Sequence, residues 1–280
     1  MLDLQELLKA AYELEPLSPS VSRLAQLVTD PDAPMKEIVM VITYDQALTV
    51  KVLRAANSAL NAPRAPITTV QAAAVRIGTG SVLSLAMASG IKKYINRALP
   101  EYGLSEGELW EHSVTAAMAA ETMRAFCDAP IPPESFTAAL LHDIGKLILC
   151  RFLNRDLANE LTSNSPLRGL RGLVSEHKIL GVTHSDVGGV IARKWELPKS
   201  IVHGIVHHHN PEKGNNAVSD VVHLADLVAD SVNDPNTVVE PPPHIDLGTC
   251  ERLAFRLDAY GRLVDRVSKR KDDLINIYDT

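Results

Sequence analysis

Cysteine is scarce in this 280-residue chain: Cys127, Cys150 and Cys250 are its three, and no two of them form a CxxC pair. That excludes a thiolate zinc ribbon and leaves no disulfide framework, so a reducing cytoplasm is the expected setting. Aromatic residues make up only 4%, too few rings to stack single-stranded bases. Basic charge is also short, with 28 Lys and Arg against 34 Asp and Glu and a net charge of −6. The phosphate-neutralising face of a nucleic-acid binder is therefore not expected. The one basic cluster, Arg266, Lys269, Arg270 and Lys271, runs directly into Asp272 and Asp273 and reads as a solvated helix face. No uncharged apolar run of about 18 residues occurs, so no membrane-spanning helix is expected. The start, Met1 to Glu6, is acidic and amphipathic, unlike a signal peptide.

What the chain does have is helical periodicity, with strand alternation nearly absent. Ser18-Pro19 offers an N-cap followed by a first-turn proline, and predicts a helix through Val28. Asp32 is placed to cap a helix through Ile42. Asp45 to Ala59 follows, and Thr68-Thr69-Val70-Gln71 has the capping-box spacing for a helix to Ile77. From Gly80 to Arg97 the small residues Ser81, Ser84, Ala86, Ala88 and Ser89 imply close helix–helix approach. Further helices are expected over 105–127, 133–153, 155–163, 169–180, 183–195, 198–208 and 216–232. Asn233-Asp234-Pro235 and Pro241-Pro242-Pro243 read as a loop before C-terminal helices. With Pro100-Glu101-Tyr102-Gly103 as the internal boundary, the reading is all-α: a lobe over 1–100, a second over 101–232 and an extension over 233–280. The extension's apolar stripe, Leu253, Leu257, Tyr260 and Leu263, is expected to pack on its own chain.

The chemistry concentrates in the second lobe. Leu140-Leu141-His142-Asp143-Ile144-Gly145-Lys146-Leu147 sets three polar groups in an apolar run, where each needs a partner. On a continuous helix His142 and Lys146 share a face. A buried Asp143–Lys146 pair would satisfy them, and so would a metal cluster in which the imidazole takes one ion and the carboxylate bridges two. Glu108 and His112 stand at i,i+4, a common way to present two ligands from one helix, though Ser105 to Glu108 is also a capping box. His184 begins a helix whose next turn holds Gly188 and Gly189, which permit close approach of backbone or ligand. His207-His208-His209-Asn210-Pro211 ends a helix; the helix dipole accounts for one such histidine but poorly for three. Asp226 lies inside the apolar run Val221 to Leu227 and wants a cation.

In order, His112, His142-Asp143, His184, His208-His209 and Asp226 resemble the ligand set of the HD superfamily of metal-dependent phosphohydrolases. Most of the chain, from Pro16 to Asp230, resembles more closely the HDOD, or HD-related output, domain of bacterial signalling proteins. The match rests on Asp45-Gln46-Ala47-Leu48-Thr49, Leu53-Arg54-Ala55-Ala56-Asn57-Ser58, Trp110-Glu111-His112-Ser113, Leu140 to Lys146, Trp195-Glu196-Leu197-Pro198 and His208-His209-Asn210-Pro211. It implies an HD-like helical bundle with an N-terminal helical lobe, and a regulatory module that binds a signalling protein or a small phosphorylated effector.

The resemblance also implies a cluster of two or more divalent ions, iron, manganese or zinc, on Glu108, His112, His142, Asp143, His184, His208, His209 and Asp226. Asp143 would bridge, and Lys146 would steady phosphate oxygens if the site hydrolyses a nucleotide or another phosphate ester. In the HD-GYP phosphodiesterases a Gly-Tyr-Pro element follows the double histidine. Here Pro211 to Asn216 stands in its place, which argues against cyclic-di-GMP hydrolysis. No receiver, PAS or GGDEF segment is recognised in the 280 residues, so input is expected from a separate partner or ligand.

Overall fold

Helix starts are set largely by side chains that accept free backbone amides. Ser18 takes the Val21 N–H, Asp45 that of Leu48 and Thr69 that of Ala72, and Thr183 and Asp186 form a reciprocal capping box. Asp32 caps nothing of this kind: the helix expected behind it begins only at Met35, after Pro34. The computed structural model describes residues 4–58, 61, 63, 65–162, 170–233, 240–242 and 245–279.

The N-terminal part comprises α1 (Leu4–Tyr12), α2 (Pro19–Thr29), α3 (Met35–Tyr44), α4 (Gln46–Asn57), α5 (Val70–Ile77) and α6 (Thr79–Ile95). There follow α7 (Glu108–Thr122), α8 (Ser135–Leu141), α9 (Lys146–Leu149), α10 (Arg155–Thr162), α11 (Leu170–Leu180), α12 (His184–Lys194), α13 (Lys199–His207), α14 (Pro211–Gly214) and α15 (Ala217–Asn233). The C-terminal helices are α16 (Leu247–Arg252), α17 (Tyr260–Ser268) and α18 (Lys271–Asp279). Short 3-10 turns, one of them Pro100–Tyr102, fill several joints, and no strand occurs among the described residues. Asp234, Pro235 and Pro243 of the expected loop lie outside the described residues.

The centre of the fold is a group formed by α7, α8, α13 and α15, each packed on at least two of the others. Small side chains on α7 (Ala116, Ala117, Ala119 and Ala120), all buried, let its neighbours come close. α6 lies against α2, α7 and α8 and is buried along much of its length, as its small residues imply. No single described helix is long and apolar enough to cross a membrane. α17 packs on α7 and α15, with Leu253, Tyr260 and Leu263 buried and Leu257 at the surface. α18 crosses α7, α4 and α6.

One element departs from the sequence reading in a way that shapes the site. The helix expected over 133–153 is broken: α8 stops at Leu141 and α9 starts at Lys146. Between them the backbone tightens, with Ile144 N–H bonded to the Leu141 carbonyl and Lys146 N–H to that of Asp143. His142 and Lys146 are therefore not face-mates on a regular helix. Gly145 lets the turn pack directly on α12, because a Cβ there would stand 2.7 Å from the Gly188 amide nitrogen and closer still to the His184 carbonyl oxygen. The glycines of α12 likewise serve helix packing: a Cβ on Gly188 would meet Ile205 of α13 at 2.8 Å.

Candidate metal centre

Four separate elements aim imidazoles at one point: α7 with His112, the α8–α9 turn with His142, the first residue of α12 with His184, and the end of α13 with His208 and His209. Two carboxylates join them, Asp143 from the turn and Asp226 from the middle of α15. The side chains form two adjoining groups. In the first, His112 Nε2 lies 3.2 Å from His142 Nε2 and 3.1 Å from Asp226 Oδ1. In the second, His184 Nε2 lies 3.3 Å from His208 Nε2 and 3.0 Å from His209 Nε2. Asp143 stands between them, with Oδ1 3.3 Å from His184 Nε2 and Oδ2 3.5 Å from His142 Nε2. Lys146 reaches back to Asp143 Oδ2 at 2.5 Å, so its ammonium is engaged by the carboxylate.

Three of the rings are fixed from behind. His142 Nδ1–H donates to the Ala139 carbonyl and His208 Nδ1–H to the Ile205 carbonyl, each at 2.7 Å. His184 Nδ1–H donates to the Glu176 carboxylate at 2.7 Å. Each bond leaves Nε2 as the atom facing the centre, the arrangement found behind metal-bound histidines. His223, which carries no candidate role in the sequence reading, also supports this wall: its Nδ1 bonds the His208 carbonyl at 2.7 Å.

Electrostatics prepare the donors. Burial holds His208 well below the usual histidine range and draws His209 down to about 3, so both stay neutral with a lone pair available. Burial also works against a His142 cation, but Asp143 and Asp226 outweigh it and carry its pKa up to about 9. Burial disfavours both carboxylate anions, yet Lys146 and the histidines beside Asp143, and His112 and His142 beside Asp226, hold both well below the ordinary carboxylate range.

The donor set fits a metal. One proton bridges one pair of nitrogens, but three Nε2 atoms converge in the second group, two of them on histidines held neutral. Two imidazole nitrogens on one ion at about 2.0–2.1 Å are separated by roughly 2.9 Å at a right angle and 3.4 Å at the tetrahedral angle. The observed spacings of 3.0, 3.2 and 3.3 Å fall within that interval. Imidazole and carboxylate without thiolate suit iron, manganese or zinc.

Comparison with known proteins places this architecture. The HDOD domain family matches residues 14–211, well over half the chain. The chain belongs to the HDOD domain family. An HDOD domain protein of unknown function from Geobacter sulfurreducens has the same fold, with a TM-score of 0.68 and 21% identity over 99% of this chain and 98% of that one. A chain from Shewanella amazonensis SB2B, described as a candidate phosphohydrolase, superposes with a TM-score of 0.65 and 21% identity, covering 98% and 97% of the two chains. An uncharacterized protein of Treponema pallidum (strain Nichols) is 24% identical over 199 residues, 71% of this chain; the match spans only 38% of that relative's length.

Within this HDOD protein the residues expected from the sequence do not all meet. His112, His142, Asp143, His184, His208, His209 and Asp226 come together, with Lys146 at the edge. Glu108 does not join them: it is exposed at the start of α7, where its carboxylate accepts the Ser105 N–H at 2.6 Å. The expected capping box does not form, since α7 starts at Glu108 with Gly107 as its N-cap and no side-chain cap bond, but the bond to Ser105 still engages one of the oxygens that a ligand role would use. His203 and His207 pack edge to face on α13, 5.8 Å apart, away from the cluster. The sequence reading missed Glu176, which is 1% exposed behind His184, and Asp230, whose Oδ1 is 3.7 Å from His112 Nδ1. Asp230 lies one helical turn after Asp226, a spacing that could have flagged it. Glu176 in Ser175-Glu176-His177 looks like any solvated helical charge.

Proposed function

We propose that this HDOD protein is a signal-transduction module that holds a cluster of at least two divalent metal ions on His112, His142, Asp143, His184, His208, His209 and Asp226. The observation that carries the reading is the convergence of His184, His208 and His209 through Nε2, two of the three rings fixed from behind. Asp143 faces both groups and suits a bridging role. Bound ions of this kind supply Lewis acidity and charge neutralisation toward a phosphoryl group. A regulatory use is supported by burial: His142 and His208 are fully buried, and the cluster reaches the surface mainly at His112, Lys146 and Asp230. Its partner is another signalling protein or a small phosphorylated effector.

The alternative, hydrolysis of a phosphate ester, is favoured by one observation: the Lys146 ammonium is beside Asp143 and partly accessible, positioned to meet an anionic ligand. The two readings separate by experiment. Purified protein, reconstituted with iron, manganese or zinc, is analysed for bound metal and then assayed on bis(4-nitrophenyl) phosphate and on nucleotides. The regulatory reading expects bound metal, lost in His142→Ala, and no turnover. Turnover that disappears in His142→Ala puts hydrolysis first. No bound metal after reconstitution with any of the three refutes both.

A further inference from the structure

The two halves of the cluster differ in charge. The His112–His142 half holds Asp226 at 3.1 Å from His112 Nε2, whereas the His184–His208–His209 half has Asp143 at 3.3 Å from His184 Nε2 and meets Asp226 only at 3.9 Å, on His209 Nδ1. Behind His184, however, stands the buried Glu176. Its Oε2 accepts both the His184 backbone N–H and the Nδ1–H at 2.7 Å, and its Oε1 accepts the Tyr102 hydroxyl at 2.9 Å. His142 and His208 lean on neutral carbonyls at the same ring position; among the three, His184 alone leans on an anion. A carboxylate there raises ligand basicity and fixes the ring, which supplies the poorer half with charge at one remove.

Tyr102 belongs to the 3-10 turn Pro100–Tyr102 that joins α6 to α7, and is itself buried. The same joint is tied to the cluster a second time, since Arg97 donates to the carbonyl of Leu147, next to Lys146. A bridge between Leu99 and Leu104 closes the joint into a small loop. Movement of His184 on taking up or losing an ion thus bears directly on the segment between the first six helices and the rest.

We propose that Glu176 is a positioning residue for the three-histidine half of the cluster, and that Tyr102 transmits the occupancy of that half to the joint between α6 and α7. This rests on the metal-binding reading above. It goes further in naming where occupancy is read out.

The test uses the full chain, with Mn2+ and Zn2+ titrated by calorimetry and hydrogen exchange followed over 97–106 with and without metal. In the wild type, metal is expected to slow exchange in that segment. Glu176→Gln is expected to weaken one class of site by about 10–100-fold and to leave the other near wild type. Tyr102→Phe is expected to keep both affinities and to lose the metal-dependent change in exchange. Equal affinities in Glu176→Gln and wild type, or an equal loss at both classes, overturns the positioning role. A wild-type exchange response in Tyr102→Phe overturns the transmission, and Glu176→Asp, titrated in the same way, decides the positioning role if Glu176→Gln does not fold. Absence of metal from the wild type instead overturns the underlying reading, so the two failures are distinguishable.

Discussion

Replacing Gly145 by alanine puts one methyl group where the α8–α9 turn meets the first turn of α12. The added carbon would lie 2.7 Å from the Gly188 nitrogen and nearer still to the His184 carbonyl oxygen, whereas real Cβ atoms essentially never come within 3.0 Å of a neighbour. Both obstacles are backbone, so no rotamer change relieves them, and α12 must retreat by roughly 1 Å at the upper end of overpacking cost, about 3 kcal/mol. At about 2–3 °C per kcal/mol for a chain of this size, Tm falls by about 6–9 °C. The retreat carries His184 with it, beyond the roughly 0.5 Å that a ligand constellation tolerates, and metal affinity drops with stability. Gly188→Ala is the comparison: its Cβ meets the Cγ2 methyl of Ile205 at 2.8 Å, a side chain stiff at χ1 but not backbone, so the expected cost is smaller, about 1–2 kcal/mol, with metal content retained. Thermal unfolding and metal analysis of the two variants check the reasoning. A Gly145→Ala protein with wild-type Tm and full metal content would refute it.

Arg252→Met removes the guanidinium that bonds Asp220 through Nε and Nη2 at 2.6–3.1 Å, leaving a carboxylate that is 2% exposed. Thr249 still donates to Asp220 and Arg252 is itself partly solvated, so urea unfolding should show a loss of about 2 kcal/mol, below the cost of a fully buried pair; an unchanged midpoint would show that the pair contributes nothing. In metal-free protein, stability is expected to peak near the ordinary histidine pKa of 6.5. Below it the unfolded chain binds protons that folded His208 and His209 refuse, and above it His142, carried up to about 9, holds a proton that the unfolded chain has released. Urea midpoints should therefore fall on both sides, by about 2 kcal/mol at roughly pH 5.5; a monotonic profile from pH 5.5 to 9 would contradict the assignment of these charge states.

Much of the site was legible because its members stand out against an apolar background. His142-Asp143 and Asp226 sit in buried runs where polar groups need partners, and the structure supplies those partners to each other. Ser18 announced its helix through a local hydrogen bond that needs nothing distant, whereas the cap expected at Thr68 falls one residue later, on Thr69. The break at His142–Gly145 was not legible, since apolar periodicity looks the same in one long helix and in two short ones joined by a tight turn. Only Gly145 hinted at it, and its reason lies 39 residues away at His184, the difference between the two positions. Glu108 was ambiguous because the same carboxylate serves a cap or a ligand. Glu176 was invisible, since burial of a helical glutamate depends on what packs over it, here the Tyr102 turn.

The placement of α15 bears on how this unit can be moved between proteins. The family match stops at residue 211, yet α15 begins at Ala217, packs against α7, α8 and α13, and carries Asp226, His223 and Asp220. Asp220 is in turn clamped by Arg252 of α16. A fusion or transplant cut at the family boundary would discard a wall of the core together with one of its carboxylates, leaving an apolar trough along α7 and α13. The portable unit is longer than the recognisable one, and its seam lies no earlier than Arg252.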